Sequence, residues 1–167
     1  ELLVAVTAQH REMLDQVLSV FDIVPDFDLD LMSSDQTLES LTGKILIGIS
    51  ELLKNIQPNL IFVQGDTTTT FAASLAAFYR KIPVGHIEAG LRTRNIYSPF
   101  PEEINRRMTS SIASYHFPST QSAKQNLLNE GVEKEKITVT GNTVIDALLA
   151  VSRKVSSDTS WYEGNFS

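Results

Sequence analysis

The chain has 167 residues, of which 42% are hydrophobic and 20% are charged, a composition typical of one soluble globular domain with a core. Its net charge is -6 and the sequence has no block of basic residues, so we do not expect nucleic acid as a partner. The absence of cysteine excludes disulfides and thiol chemistry. Apolar stretches fall far short of the roughly 20 residues of a membrane span, and no signal-peptide pattern is present. We therefore expect a cytoplasmic protein with no membrane partner.

The first third of the chain alternates a short apolar run with stretches of helical periodicity, which is typical of βαβ units. Residues 2–6 predict a strand, and residues 27–32 predict an extended connection. The helix between them has an apolar face, made of Met13, Leu14, Val17, Leu18 and Phe21. A long amphipathic helix then ends before Pro58, with apolar residues at spacings of three and four: Leu38, Leu41, Ile45, Ile49, Leu52, Leu53 and Ile56.

The rest of the chain continues the alternation. Residues 60–63 are continuously apolar, which predicts a central parallel strand covered on both faces. Further strands are predicted at residues 82–87, 115–117 and 137–139. The helix over residues 67–80 is expected to bury Phe71, Leu75 and Phe78, and the helix that begins at Pro101 is expected to bury Ile104, Met108 and Ile112. Two more helices are predicted, one capped by Thr120 and closed by Gly131, the other capped by Asn142.

This order of elements predicts an α/β fold with a doubly wound, mostly parallel, Rossmann-like sheet. Residues 1–155 are expected to form one domain, and residues 156–167 an irregular tail without periodicity. The chain opens on Glu1 rather than Met and enters a core strand at once. We therefore expect that polypeptide is missing before this strand and after the tail.

In a sheet of this kind, ligands bind beyond the carboxyl ends of the strands, and that rule selects three acidic segments. Asp66 follows the strand at residues 60–63, and a capping role for its carboxylate is the alternative to a functional one. Four threonines follow Asp66, although β-branched residues are poor helix formers, so a polar ligand at this turn would explain them. The long loop over residues 89–101 is also typical of a functional segment.

Glu88 is the stronger candidate, because a carboxylate directly after an apolar strand has no obvious structural role. The alternative is a buried ion pair with Arg92. Glu102 and Glu103 begin a helix, where surface pairing with Arg106 and Arg107 would be a sufficient explanation. Their position on the same rim nevertheless favours function, since several carboxylates around one crevice suit proton transfer.

The histidines and cations of the rim give weaker signals. His10 and Arg11 follow the first strand and suit an anion, with capping as the alternative for His10. His86 and His116 are expected to be packing residues, with a supporting role at the site left open for His86. No pair of histidines has metal-ligand spacing, so the sequence predicts no metal site.

Five segments resemble the non-hydrolysing UDP-N-acetylglucosamine 2-epimerases, in order and over residues 2–155. They are 7–14 (TAQHREML), 65–70 (GDTTTT), 85–93 (GHIEAGLRT), 101–106 (PEEINR) and 140–146 (TGNTVID). The resemblance implies a two-domain architecture of the glycosyltransferase-B type with substrate between the halves. It also implies interconversion of UDP-GlcNAc and UDP-ManNAc by elimination and re-addition of UDP, with no nicotinamide or metal cofactor.

The resemblance further implies roles for individual residues. Asp66, Glu88 and Glu102 match the carboxylates important to catalysis, with Asp66 and Glu102 as the acid/base pair around C2 and Glu88 orienting the sugar. Asp66, Glu88 and Arg92 are expected to bind substrate. A second, allosteric UDP-GlcNAc site would involve positions matching Gln9, Glu12, Asp35 and Gln36. Glu12 and Asp35 stand where members with that site tend to have Gln and Arg, which should weaken it.

The chain also departs from the family pattern. The opening strand–helix unit with its cationic Gly-Thr-Arg-Pro-Glu segment has no counterpart, and neither has the C-terminal nucleotide-binding domain. We therefore expect these residues alone to be inactive and the longer protein to be a homodimer. The alternatives are a glycosyltransferase-B type transferase, a hydrolysing epimerase and a non-catalytic truncated domain.

Overall fold

The computed structural model describes residues 1–7, 11–31 and 36–157, with the side chains of 156 and 157 excepted. Five strands and six α-helices lie along these residues, and they alternate, as predicted, up to α5. In chain order they are β1 (Ala5–Val6), α1 (Arg11–Val20), β2 (Phe27–Asp28), α2 (Leu38–Ile56), β3 (Ile61–Gln64), α3 (Thr68–Tyr79), β4 (Val84–Ile87), α4 (Glu102–Ile112), β5 (Tyr115–Phe117), α5 (Gln121–Asn129) and α6 (Thr143–Ser157). The predicted tail at residues 156–167 lies almost wholly outside the described residues.

The strands form two parallel sheets. β1 pairs with β2, while β4 lies between β3 and β5. The segment predicted as an extended connection therefore supplies a strand, β2. The predicted strand at residues 137–139 is reduced to a single bridge between His116 and Ile137. A turn of 3-10 helix, Lys134–Lys136, comes directly before that bridge.

The main core lies between α2, α3 and one face of β3 and β4. α2 begins at Thr37, whose hydroxyl accepts the Ser40 amide, and its apolar stripe buries Leu41, Ile45, Ile49 and Leu53. This confirms the amphipathic pattern predicted for α2. A second, smaller cluster joins Ala89, Leu127 and Ile137 beneath α5.

The structure corrects three expectations about burial, those for α3 and α4 in part. β3 is not covered on both faces, because it is an edge strand of its sheet and Phe62 is 54% exposed. α3 buries its alanines and small polar residues, whereas Phe78 is 58% exposed, because small side chains allow α3 to pack closely against both α2 and α4. α4 buries a polar face, formed by Glu103, Asn105, Arg106, Thr109 and Ser110. The apolar residues expected inside the two helices are partly buried, except Phe78: Phe71 and Leu75 of α3, and Ile104, Met108 and Ile112 of α4.

A groove of about 770 Å³ runs between the β1 side and the β3 side of the molecule. Its lining includes Ala5 and Thr7 from one side and Ile61 and Val63 from the other, with Leu53 of α2 between them. The hydroxyls of Thr7 and Thr69, 3.1 Å apart, link the two sides at one end. Within the described chain, no hydrogen-bonded ladder joins the two sheets.

Candidate functional site

The three-stranded sheet places Asp66 and Glu88 at neighbouring positions beyond the carboxyl ends of β3 and β4. Gln64 is in register with Ile87, so the residues that follow each strand meet at one edge. The carboxylate of Glu88 lies over Gly65, where a Cβ would come within 3.5 Å of Oε2. The groups are close enough that the charge of Asp66 acts on Glu88. The rule of strand carboxyl ends therefore located these two residues correctly.

Glu88 has two unusual features. Its φ angle is 65°, in the left-handed region that costs an ordinary residue roughly 1–2 kcal/mol, and such backbone strain concentrates at functional sites. Burial, together with the nearby charge of Asp66, raises the pKa of Glu88, while the Arg106 guanidinium acts in the opposite direction. Such a carboxyl group holds a proton more readily than an ordinary glutamate does.

The alternative explanations for Asp66 and Glu88 are both wrong. The residue that caps α3 is Thr67, whose side chain accepts the Thr70 amide, so Asp66 is left without the capping role. Arg92 pairs with Glu130 at 2.7 Å rather than with Glu88, and its buried guanidinium also donates to Ser110. The predicted role of Arg92 in substrate binding stays a prediction.

Hydrogen bonds within the fold account for part of the threonine run, and the ligand expected at this turn stays a prediction. The Thr70 hydroxyl donates to the Gln64 carbonyl at 2.6 Å and lies 3.2 Å from that of Thr67. Thr69 reaches Thr7 across the groove. These hydroxyls fasten the start of α3 to β3 and to the β1 side, which offsets the poor helix propensity of β-branched residues.

α4 brings a cation to the two carboxylates, which the sequence interpretation missed. Arg106 Nη2 lies 3.5 Å from Asp66 Oδ2, and Arg106 Nε lies 3.3 Å from Glu103 Oε2. The Asn105 side chain donates to the Asp66 backbone carbonyl at 3.1 Å. The predicted surface pairing of Glu103 with Arg107 is wrong, because Glu103 is fully buried and pairs with Arg106 instead. In the sequence, Arg106 lies three residues after Glu103, a spacing that also allows an ion pair on one helix face. The sequence alone does not distinguish this pair from the i,i+4 pair of Glu103 with Arg107.

Glu102 begins α4 at the same rim, half-buried. Within residues 1–7, 11–31 and 36–157, its carboxylate has no hydrogen-bond or ion-pair partner. A carboxylate without a protein partner remains available to a ligand. The catalytic role predicted for Glu102, like those of Asp66 and Glu88, stays a prediction.

The two described histidines, His86 and His116, are packing residues in this structure. His86 and His116 are buried, and burial lowers the pKa of each to about 4. His86 Nε2 contacts the Gly65 carbonyl at 2.8 Å, so it supports the turn that carries Asp66. In the described part of the chain, no three His, Cys, Asp or Glu side chains are grouped to hold a metal ion. No described helix is long and apolar enough to cross a membrane.

The predicted allosteric positions belong only in part to the described chain. Gln9 and Asp35 lie outside the described residues, as does His10. Glu12 is exposed on α1, and the Gln36 side chain accepts a hydrogen bond from Lys44. Arg11, predicted on the same rim as an anion contact, is paired with Asp15 and Asp28. The allosteric site stays a prediction.

Comparison with known proteins decides the family. The family model for UDP-N-acetylglucosamine 2-epimerase matches residues 1–165. The chain belongs to the UDP-N-acetylglucosamine 2-epimerase family. Among similar relatives of this family, a probable UDP-N-acetylglucosamine 2-epimerase of Ralstonia solanacearum is 58% identical over 156 residues, 93% of this chain and 42% of the relative. The UDP-N-acetylglucosamine 2-epimerase of Bacillus subtilis is 61% identical over 145 residues, 87% of this chain and 38% of the relative.

A solved epimerase structure has the same fold. The crystal structure of UDP-GlcNAc 2-epimerase from Neisseria meningitidis bound to UDP-GlcNAc aligns with a TM-score of 0.88 and 56% sequence identity. The alignment covers 92% of this chain and 42% of that one. The α/β fold class predicted from the sequence is thereby confirmed. The chain spans about two fifths of the length of these epimerases.

Proposed function

We propose that the protein of which this chain is a part interconverts UDP-GlcNAc and UDP-ManNAc. The observation that carries the proposal is the pairing of Asp66 and Glu88 at the strand ends, beside Arg106 and near a free Glu102, in a member of this family. In this proposal the chain supplies the acidic half of the site, where the proton of the sugar is handled. The binding of UDP falls largely to the portion that the relatives have beyond the match.

The reaction asks for carboxylates on more than one side of the sugar. A base removes the proton from C2 while the C1–O bond breaks, and its electron pair leaves with UDP. The resulting 2-acetamidoglucal has a C1–C2 double bond, to which UDP adds back at C1 as a proton reaches the opposite face of C2. Because the C2 proton is weakly acidic, its removal needs a positioned base and a stabilised leaving group.

The three carboxylates divide this work. Asp66 and Glu102 act as the acid/base pair around C2, and Glu88 orients the sugar. Arg106, beside Asp66, is the described cation best placed to offset negative charge that develops at this rim. Arg92 contributes to substrate binding through the loop that it anchors to Glu130. A homodimer in the cytoplasm remains the expected form of the longer protein.

A hybrid protein tests the proposal. The matched 156 residues of the Neisseria meningitidis relative are replaced by the corresponding residues of this chain, 56% identical, and the hybrid is incubated with UDP-GlcNAc. We expect UDP-ManNAc to accumulate to equilibrium, as with the unmodified relative run in parallel. Hydrolysis to free ManNAc and UDP would instead indicate a hydrolysing epimerase. Transfer of the sugar to an acceptor would indicate a transferase.

Absence of any product from a folded hybrid would contradict the proposal and favour a non-catalytic domain. The isolated chain serves as a second sample in the same assay. We expect it to be inactive, because it spans only about 42% of the relatives. Measurable epimerisation by the isolated chain would contradict that division of labour.

A further inference from the structure

Glu103 is a buried carboxylate that the proposed chemistry does not use. It is fully buried, and both of its oxygens are occupied: Oε2 accepts the Thr93 amide at 3.0 Å and Oε1 accepts the Arg94 amide at 3.2 Å. Burial of a charge is costly unless it is paired and hydrogen-bonded. The amides alone would satisfy its oxygens, yet a cation, Arg106, also lies beside it.

Arg106 is shared between two carboxylates from different elements. Its Nε faces Glu103, one turn earlier on α4, and its Nη2 faces Asp66, at the turn before α3. The guanidinium is buried, with 9% of the side chain exposed, so solvent screens these contacts little. Asn105 fixes the same turn by donating to the Asp66 carbonyl.

Few other charged groups lie near Arg106 and its two carboxylates, and some of them already have ion-pair partners. Glu88, after β4, is influenced by both Asp66 and Arg106. His86 on β4 has a pKa of about 4 and is neutral at the pH of interest. Arg92 is paired with Glu130, and Glu102 precedes Glu103 at the start of α4. Burial has the largest effect on the pKa of Glu88, and the charge of Asp66 comes next. Both raise this pKa, and Arg106, which contacts Glu103 and Asp66, is the nearby cation that lowers it.

We propose that Glu103 is a positioning residue that holds Arg106 beside Asp66 and partly neutralises the guanidinium, and so sets how much positive charge Arg106 presents to the rim. The inference rests on the proposed function, and in it Glu103 acts through Arg106. Its contact with the 93–94 amides ties the loop after β4 to the same guanidinium. Glu103 needs no contact with substrate for this role.

Two substitutions separate this role from a purely structural one. Glu103→Gln keeps the shape of the side chain but removes its negative charge. The positive charge of Arg106 is then no longer partly neutralised by Glu103 and acts more strongly on the rim carboxylates. The charged form of Glu88 is then favoured, and the acidic limb of the pH profile moves to lower pH. Arg106→Met removes the cation, so the acidic limb moves to higher pH.

The experiment is the pH dependence of kcat/KM in the hybrid protein. We expect displacements of about one pH unit in opposite directions for the two variants. Glu103→Asp, which keeps the charge, should leave the limb in place even if kcat falls. Glu133→Gln, which breaks an exposed i,i+3 pair with Lys136, and Arg107→Met are matched controls that should leave the limb unmoved. Equal or same-direction displacements would overturn the inference.

Carbon-13 titration of the labelled carboxyl group of Glu88 gives a readout that needs no activity. The same opposite displacements are expected there. If the hybrid with Glu103 intact is inactive, the proposed function fails while this titration still decides the inference. If Glu103→Gln does not fold, Arg106→Met and Glu103→Asp still test it: a limb or titration that Arg106→Met leaves in place, or that Glu103→Asp moves, contradicts it.

Discussion

The β1–α1–β2 unit and the unit built on β3, β4 and β5 use the same kinds of element with very different burial. Within the described chain, α1 has no buried residue, and Met13 and Val17 are 66% and 48% exposed. α2, by contrast, buries four apolar side chains against α3 and the three-stranded sheet. An apolar stripe therefore identifies the face that a helix can bury, but not whether the described chain covers it.

The same contrast separates two arginines. Arg11, on α1, is about half exposed and contacts the carboxylates of Asp15 and Asp28. Arg106, on α4, is buried between Glu103 and Asp66. Exposed pairs contribute little to stability because water screens them, whereas a buried pair is costly to break. The candidate site thus lies on the part of the molecule that is best able to hold charges in fixed positions.

The sharpest test of this contrast compares two apolar truncations. Ile45→Ala removes a fully buried side chain from the core and is expected to lower the free energy of unfolding by roughly 2–5 kcal/mol. Val17→Ala, on the exposed face of α1, is expected to cost less than about 1 kcal/mol. Urea denaturation measures both. Equal losses would show that α1 is as well packed as α2.

A glycine at the edge of the site should be nearly as sensitive. A Cβ at Gly90 would lie 2.3 Å from the Ala123 carbonyl oxygen, and its φ of 86° is already unfavourable for other residues. We expect Gly90→Ala to cost roughly 2–4 kcal/mol through overlap and strain together.

Gly131→Ala is the matched control for Gly90, because its φ is 88° but no atom lies within 4 Å of a Cβ there. It isolates the backbone cost, roughly 1 kcal/mol. Thermal or urea unfolding of both variants gives the difference. Similar losses at the two positions would mean that α5 moves away from residue 90 at no cost.

Acid should weaken the three-stranded unit through its buried histidines. The pKa of His86 and of His116 is lowered in the fold to about 4, chiefly by burial, so the unfolded chain binds more protons below pH 6.5. Stability is then lost as the pH falls from about 6.5 towards 4, by up to roughly 3 kcal/mol per histidine.

His86→Gln provides the check on this pH dependence. It keeps a side-chain donor near the Gly65 carbonyl but cannot take up a proton, so the slope of unfolding free energy against pH should be shallower between pH 6.5 and 4. Unfolding curves at several pH values measure the slope. A slope identical to that of the parent chain would rule out His86 as a source of the acid sensitivity.

How much of this followed from the sequence depends on the range of the interactions. The order of elements and the positions of Asp66 and Glu88 follow from local periodicity and from the rule that strand ends share one edge. The inward faces of α3 and α4 do not follow from the sequence, because periodicity predicts that their large apolar side chains are buried. Instead, small residues of α3 allow close packing, and α4 buries Glu103 and Arg106 once each has found its partner.

The smallest effect is expected at the exposed cluster around Arg11. Arg11→Ala removes contacts to Asp15 and Asp28, all on partly exposed side chains. We expect a change of less than about 1 kcal/mol, further reduced by salt. Denaturation at low and high ionic strength measures it. A loss comparable to that of Ile45→Ala would contradict the contrast between the two units.

The central claim is that the carboxylates at the ends of β3 and β4 and at the start of α4 move the C2 proton. The most direct measurement is incubation of the hybrid protein with UDP-GlcNAc in D2O, with deuterium at C2 followed by NMR. We expect exchange in the parent hybrid and losses of roughly 10²–10⁴-fold in Asp66→Asn and Glu102→Gln. Asp146→Asn, an exposed carboxylate in the first turn of α6, is the control and should exchange normally. Undiminished exchange in Asp66→Asn and Glu102→Gln would contradict the account.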